Sequence, residues 1–207
     1  VGRRLHVAQD HEELVAAEAR QEAVGSDPLP DQLAGAHQDR IALRVAEALS
    51  ARHIHVMAGK AEGSRAHACF IENLAWAVER APHASLTIEP MNPTDLPGYF
   101  LNSFDLAMQV IDAVGAPNLG LQFDAYQAHM LTGDVAATFR ECQHHVHHIQ
   151  IAGAPGRHEP REGDIDYRDF LRAVDEAGYS GWVAAEYTPR TTTSAGLRWM
   201  QDELQHG

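Results

Sequence analysis

The chain is short of cysteine and short of positive charge, and each shortage excludes a class of protein. Its 207 residues include two cysteines, Cys69 and Cys142. Two are too few for a disulfide scaffold, and no CxxC spacing marks a zinc site. The 16 Lys and Arg are outnumbered by 29 Asp and Glu, for a net charge of −13 with His neutral. Phosphate backbones are gripped by clustered basic side chains, so this balance speaks against a nucleic-acid partner. No apolar run approaches the roughly 18–20 residues of a membrane span. No basic-then-apolar leader pattern opens the sequence. No membrane partner is expected, and the setting read from the cysteines is a reducing cytoplasm.

What is present is a rhythm. Short apolar runs centred near Ile54, Leu86, Leu121, Ile149 and Val183 alternate with helical patterns. The steps between them are roughly 28–35 residues, close to one βα unit. Ser64, Ser103 and Asp166 are placed to cap helices, with Gly115 and Gly178 placed to end two of them. The apolar faces would hold Phe70, Leu74 and Val78; Leu106, Val110 and Val114; and Phe170, Leu171 and Val174. Strand and helix repeated in this way predict a parallel sheet.

Strand parity separates a doubly wound sheet from a barrel. Successive side chains on a strand face opposite ways. In each run one parity is apolar, as in Leu86 and Ile88 or Leu121 and Phe123. The other is more polar or mixed, carrying His55, Met57, Thr87, Glu89, Gln122, Asp124, His148, Gln150, Trp182, Ala184 and Glu186. Helices covering both faces of an open sheet would demand two apolar parities. A (β/α)₈ barrel demands one for its helices and leaves the other for the lumen, with chemistry at the C-terminal strand ends. Glu89, Asp124, Gln150 and Glu186 fall at those ends. Three carboxylates and an amide oxygen suit a hard cation such as Mg²⁺ or Mn²⁺ better than zinc. The plainer alternative is that such residues cap strands and helix N-termini. The run His144, His145, His147 and His148 is not read as a metal site, because neighbouring strand residues cannot all converge.

At this point the sequence resembles the hydroxypyruvate isomerase family, within the xylose-isomerase-like barrels that also include ketose 3-epimerases. The resemblance lies in His55-Val56-Met57-Ala58-Gly59, Ile88-Glu89-Pro90-Met91-Asn92 with Asp95 to Phe100, Gln122-Phe123-Asp124-Ala125-Tyr126, His148 to Gly153, Pro155 to Pro160, and Gly181-Trp182-Val183 with Glu186-Tyr187. The Arg157-His158-Glu159-Pro160 loop is the most specific piece. The resemblance implies that Glu89, Asp124, Gln150 and Glu186 ligate the metal and that Glu89 and Glu186 form the catalytic acid/base pair. The implied reaction interconverts hydroxypyruvate and tartronate semialdehyde through an enediolate. Arg157 is the candidate for the substrate carboxylate, which a guanidinium grips as a fork. His55 is a candidate pocket-lining residue, Asp95 a turn residue, and His158 and Glu159 residues that order the loop. Gln127 stands where the family carries His in its Asp-x-Tyr-His pattern. It can bond a substrate oxygen but cannot carry a proton.

The family's Gly-rich loop after its third strand is missing. Residues 53–207 read as matched βα units of a single domain, and residues 1–52 as its atypical N-terminal part. In that part Leu5-His6-Val7 is the one strand candidate, His11–Ala23 and Asp39–Ala51 read as helix, and Gly25–Pro30 as a loop. Eight units need about 256 residues at this rhythm. The expectation is therefore a (β/α)₈ barrel lacking one or two N-terminal strands, or with that part rebuilt, whose exposed edges a partner subunit in a homo-oligomer, the helical N-terminal part or a longer parent product would cover. The leading functional expectation is a metal-dependent isomerase of a small hydroxy-oxo acid. A 2-oxo-tetronate isomerase and a catalytically inactive truncated homologue are the alternatives. A repair endonuclease is disfavoured by the acidic charge.

Overall fold

A computed structural model describes residues 5–6, 14–17, 42–160 and 163–200. The described elements run β1 (Leu5–His6), β2 (Leu14–Ala17), α1 (42–49), β3 (His53–Val56), α2 (Gly63–Arg80), β4 (Ser85–Ile88), α3 (Phe104–Val114), β5 (Leu119–Asp124), α4 (Ala125–Thr132), α5 (Val135–Cys142), β6 (Val146–Ile151), α6 (Tyr167–Glu176), β7 (Val183–Ala185) and α7 (Thr193–Gly196). The chain forms two compact units, Gln9–Gln122 and Val1–Ala8 with Phe123–Gly207, and the boundary falls within β5.

In the unit Gln9–Gln122, strands lie in the order β2-β3-β4-β5, each pair parallel. The register sets Val15 beside Ile54, Ile54 beside Leu86, and Ile88 beside Leu121. Ile54, Leu86, Ile88 and Leu121 are buried with Phe70, Leu74 and Val78 of α2, as the strand and helix patterns predict. Ser103 accepts a hydrogen bond from the Leu106 N–H at 3.2 Å, and Gly115 ends α3 in the left-handed conformation. Asn118 closes the C-terminal end of α2, donating to the carbonyls of Val78 at 3.1 Å and Ala81 at 3.0 Å. Those carbonyls have no partner within the helix itself.

Three local expectations fail here. The stretch Leu14–Ala17, read as helix, is the strand β2, paired with β3 at all four residues. Ladder pairing overrides the helical preference of an Ala- and Glu-rich stretch. Ser64 lies inside α2, which begins at Gly63 after an N-cap at Glu62 that makes no side-chain bond. The buried face of α3 holds Phe104, Ala107, Val110 and Ile111, so Leu106 and Val114 sit at its margins. Residues 42–49 are helical, within the expected Asp39–Ala51. The expected loop at Gly25–Pro30 and Val7 lie outside the described residues.

In the other unit, β1 pairs with β7 and β7 with β6, all parallel, so the first described strand neighbours the last. The core centres on Phe123, Phe139 and Phe170, whose rings lie 5.4–5.6 Å apart by centroid. Phe139 and Phe170 bring α5 and α6 onto the apolar side of β5. Asp166 caps α6 by accepting from the Asp169 N–H at 3.0 Å. Phe170 and Val174 are buried as the pattern requires, with Ala173 rather than Leu171 completing the face.

Within each unit most of the polar parity is buried too: His55, Thr87, Glu89 and Gln122 in one, and Asp124, His148 and Gln150 in the other, each expose 4% or less, while the Glu186 side chain is 51% exposed. A polar row held from water along parallel strands is what a barrel interior requires and a doubly wound sheet does not supply.

Candidate active site

The carboxylates occupy the C-terminal ends of strands, and each unit organises its own. In the unit Gln9–Gln122, Glu89 follows β4 directly. The register that pairs Ile88 with Leu121 sets Glu89 beside Gln122. Gln122 Nε2 donates to Glu89 Oε2 at 2.6 Å, and Thr87 Oγ1 donates to Gln122 Oε1 at 3.3 Å. His55 Nδ1 lies 3.7 Å from the same Glu89 oxygen. Burial lowers the His55 pKa to about 4, so the ring is neutral at pH 7 and this approach is not an ion pair. Tyr99, whose hydroxyl accepts from the Ala58 N–H at 2.8 Å, is pushed up to about 12, by burial first. Asn92 holds the turn after Glu89: its Oδ1 accepts from the N–H groups of Thr94 and Asp95, and its Nδ2 donates to Asp95 Oδ2 at 2.8 Å. Asp95 is thus a turn residue.

In the other unit, Asp124 ends β5 and also caps α4, accepting from the Tyr126 N–H at 2.8 Å. The capping alternative is therefore correct for Asp124, whose Oδ1 takes the Tyr126 N–H. Oδ2 accepts from Arg157 Nη2 at 2.8 Å. The same nitrogen donates to Glu186 Oε2 at 2.7 Å, which brings two of the sequence-identified carboxylates onto one guanidinium. Burial pushes Asp124 up to about 6; Arg157 opposes the rise, Glu186 adds to it, and the N–H groups of Tyr126 and Gln127 oppose it. Glu186 is placed by its own backbone N–H, which donates to the Ile151 carbonyl of β6 at 3.1 Å, one residue beyond the pairing of Ile151 with Ala185. Gln150 is buried in β6. Gln127 is buried on α4, three residues after Asp124.

The loop carrying Arg157 is fixed by its main chain. Arg157 adopts φ 54°, an uncommon conformation for a non-glycine residue that costs on the order of 1 kcal/mol. Its carbonyl accepts from the Thr188 N–H at 2.8 Å. His158 Nδ1 bonds the Thr188 carbonyl at 2.8 Å, and Glu159 accepts from the Arg190 N–H at 3.2 Å. The loop is therefore laced to the segment that follows β7 and carries Glu186. Gly163 packs so closely that a Cβ there would lie 1.8 Å from the Ala154 carbonyl oxygen.

The donor chemistry in this unit, two carboxylates and an amide, fits a hard divalent cation. The carboxylates also demand positive charge, which the guanidinium supplies in this arrangement. Among the described residues, no three His, Cys, Asp or Glu side chains form a group that could hold a metal ion, and the histidine-rich stretch forms none either. Sequence reasoning missed the Thr87–Gln122 link to Glu89 and the Tyr126 ring, 5.5 Å from the Arg157 guanidinium carbon. Gln122 shares its parity with Asp124, the one available signal. Among the described residues no helix is long and apolar enough to cross a membrane.

Parallel βα units with polar residues and carboxylates at the C-terminal ends of their strands are the parts of a (β/α)₈-type barrel. Residues 24–203 match the Xylose isomerase-like TIM barrel family, and the chain belongs to it. It is 43% identical over 169 residues to a 2-oxo-tetronate isomerase of Cupriavidus necator, covering 79% of this chain and 65% of that protein. It is 38% identical over 165 residues to the hydroxypyruvate isomerase of Escherichia coli, covering 77% of this chain and 64% of that protein. The chain thus spans just under two thirds of the length of these curated relatives. A crystal structure described as AP endonuclease, family 2, from Brucella melitensis superposes with a TM-score of 0.83 at 33% identity, covering 92% of this chain and 77% of that one.

Proposed function

We propose that the chain is a metal-dependent isomerase of short hydroxy-oxo acids, interconverting hydroxypyruvate and tartronate semialdehyde. The observation that carries this reading is the pair Asp124 and Glu186, from the ends of β5 and β7, held on one guanidinium. The names of the two curated relatives support it. Glu89, Asp124, Gln150 and Glu186, which as they stand form no three-carboxylate group, would hold Mg²⁺ or Mn²⁺ once Arg157 releases Asp124 and Glu186. Bound there, the ion would stabilise the negative charge that develops on the substrate oxygens.

The chain's own residues account for the proton movements. One glutamate of the pair Glu89 and Glu186 takes a proton from C3 of hydroxypyruvate. The C3–H electrons become the C2=C3 double bond of the enediolate, and the carbonyl electrons move to the C2 oxygen. The other glutamate delivers a proton to C2 as the C3 oxygen becomes the aldehyde carbonyl and the C2 oxygen takes up the hydroxyl proton. Carboxylates suit both roles when placed within hydrogen-bond reach. Arg157 would turn its fork to the substrate carboxylate. Gln127 would hold a substrate oxygen without exchanging a proton.

A four-carbon 2-oxo acid is the second reading, favoured by the name of the Cupriavidus relative. The net charge of −13 argues against a nuclease role of the kind for which the Brucella protein is named. The test is isomerisation of hydroxypyruvate and of 2-oxo-tetronate, with Mn²⁺ and with EDTA, by wild type and Glu186→Gln. Loss of turnover in EDTA and in the variant supports the reading. Equal rates in the variant remove Glu186 from the chemistry, and equal rates in EDTA remove the metal.

A further inference from the structure

We propose that Gln122 is a positioning residue for Glu89 and that Thr87 sets the direction of its amide. The inference rests on the acid/base role given to Glu89 above and adds the residues that aim it. It starts from three buried polar side chains in a row. Thr87 exposes 0%, Glu89 1% and Gln122 1%. The bond from Gln122 Nε2 to Glu89 Oε2, at 2.6 Å, is short for an amide donor.

The two ends of the amide are not interchangeable. If the amide were reversed, its carbonyl oxygen would face a carboxylate oxygen at the same separation, acceptor against acceptor. Thr87 Oγ1, 3.3 Å from Gln122 Oε1, gives that oxygen a donor and so favours the productive orientation. The β4–β5 register holds the row: Thr87 stands beside Gly120 and Ile88 beside Leu121, which leaves Gln122 next to Glu89. His55 does not perform this task, because its Nδ1 lies at 3.7 Å, outside hydrogen-bond distance.

The chemistry explains why an amide suits this place. A carboxylate that must take up a proton loses basicity beside a full positive charge. A neutral amide fixes the side chain's rotation and lowers its basicity less than a guanidinium or ammonium would. Asp124 and Glu186, by contrast, are held by a guanidinium. Glu89 is therefore aimed by a neutral donor, whereas Glu186 shares a cation with Asp124 and exchanges its proton once Arg157 turns to the substrate carboxylate.

The test uses the full chain and four variants, Glu89→Gln, Gln122→Met, Thr87→Val and Thr87→Ser, with turnover measured on the better of the two substrates. Misplacing a reacting group costs about 10–100-fold in rate. Gln122→Met and Thr87→Val are expected to lower kcat in that range with KM nearly unchanged, and Thr87→Ser, which restores the hydroxyl, to recover it. A second measurement does not need turnover. Melting temperatures of metal-free Gln122→Met, Glu89→Gln and the double variant should show losses that do not add. Full kcat in both Gln122→Met and Thr87→Val, while Glu89→Gln is inactive, would overturn the positioning role and leave the isomerase reading standing. Additive melting losses would overturn the bond itself. Wild-type turnover in Glu89→Gln would instead strike the acid/base role of Glu89.

Discussion

Replacing Arg157 with Gln should destabilise the metal-free protein, and the loss should grow with pH. The variant removes both guanidinium bonds and leaves Asp124, which is 1% exposed, without its compensating charge. The Glu186 limb is open to water, with that side chain 51% exposed, and limbs of this kind contribute about 0.2–1 kcal/mol. Breaking a fully buried pair costs about 3–5 kcal/mol. The Arg157 side chain is 30% exposed, so the Asp124 limb falls below that range. A total of about 1–3 kcal/mol follows, or roughly 2–10 °C in melting temperature for a chain of this size.

The pH dependence has a definite sign. Asp124 is raised from 3.8 to about 6, so the folded state binds this proton more tightly than the unfolded one. The stability linked to this group is complete below about pH 4 and is lost as pH rises through about 6, by roughly 3 kcal/mol in all. Arg157 holds that loss down. Without it the carboxyl rises further and the loss continues to higher pH. Thermal melts of wild type and Arg157→Gln in EDTA should therefore nearly coincide at about pH 4.5 and separate by several degrees at about pH 8. A difference that is the same at both, or larger in acid, would refute the reasoning.

Gly163→Ala should cost about 2 kcal/mol or more, because the new Cβ would overlap the Ala154 carbonyl at 1.8 Å and φ is +110°. Chemical denaturation measures it, and a loss below about 0.5 kcal/mol would mean that the loop relaxes freely. His55 should stay neutral down to about pH 4 in the folded protein, as read from its ring shifts by NMR. Its pKa is lowered from 6.5, so its contribution to stability is present at neutral pH and is lost as pH falls from there through about 4. A midpoint near 6.5 would show that burial does not control it.

The parts of this protein that were legible in the sequence are those where local pattern and tertiary role agree. The runs at Ile54, Leu86, Leu121, Ile149 and Val183 are strands because their period-two alternation matches a sheet with one apolar face. Ser103 and Asp166 cap helices because a short oxygen-bearing side chain satisfies open N–H groups wherever a helix begins. The strand β2 was illegible because Leu14–Ala17 shows no alternation and is settled by its ladder with β3. The face of α3 was misjudged because Ala107, small and weakly patterned, is fully buried. Asp124 and Glu186 were legible from their strand ends. The destination of Arg157 was not, since it depends on a positive φ and a backbone bond to Thr188 that no side-chain pattern announces. Gln122 was visible as a polar strand residue, but its partner follows only from the register.

The backbone bond between Arg157 and Thr188 makes position 157 a socket rather than a contact. The chain is delivered towards Asp124 and Glu186 by its carbonyl, so whatever side chain stands there is aimed at the same two carboxylates, and its length decides whether it reaches them. A residue that tolerates the left-handed conformation, such as Asn, would seat at lower backbone cost but fall short of both oxygens. A Lys would arrive as a point charge and could not present a planar fork. In this fold the chemical head at 157 is exchangeable while its address is not. A transplant of the Arg157 loop into another barrel would need the segment through Thr188 to travel with it.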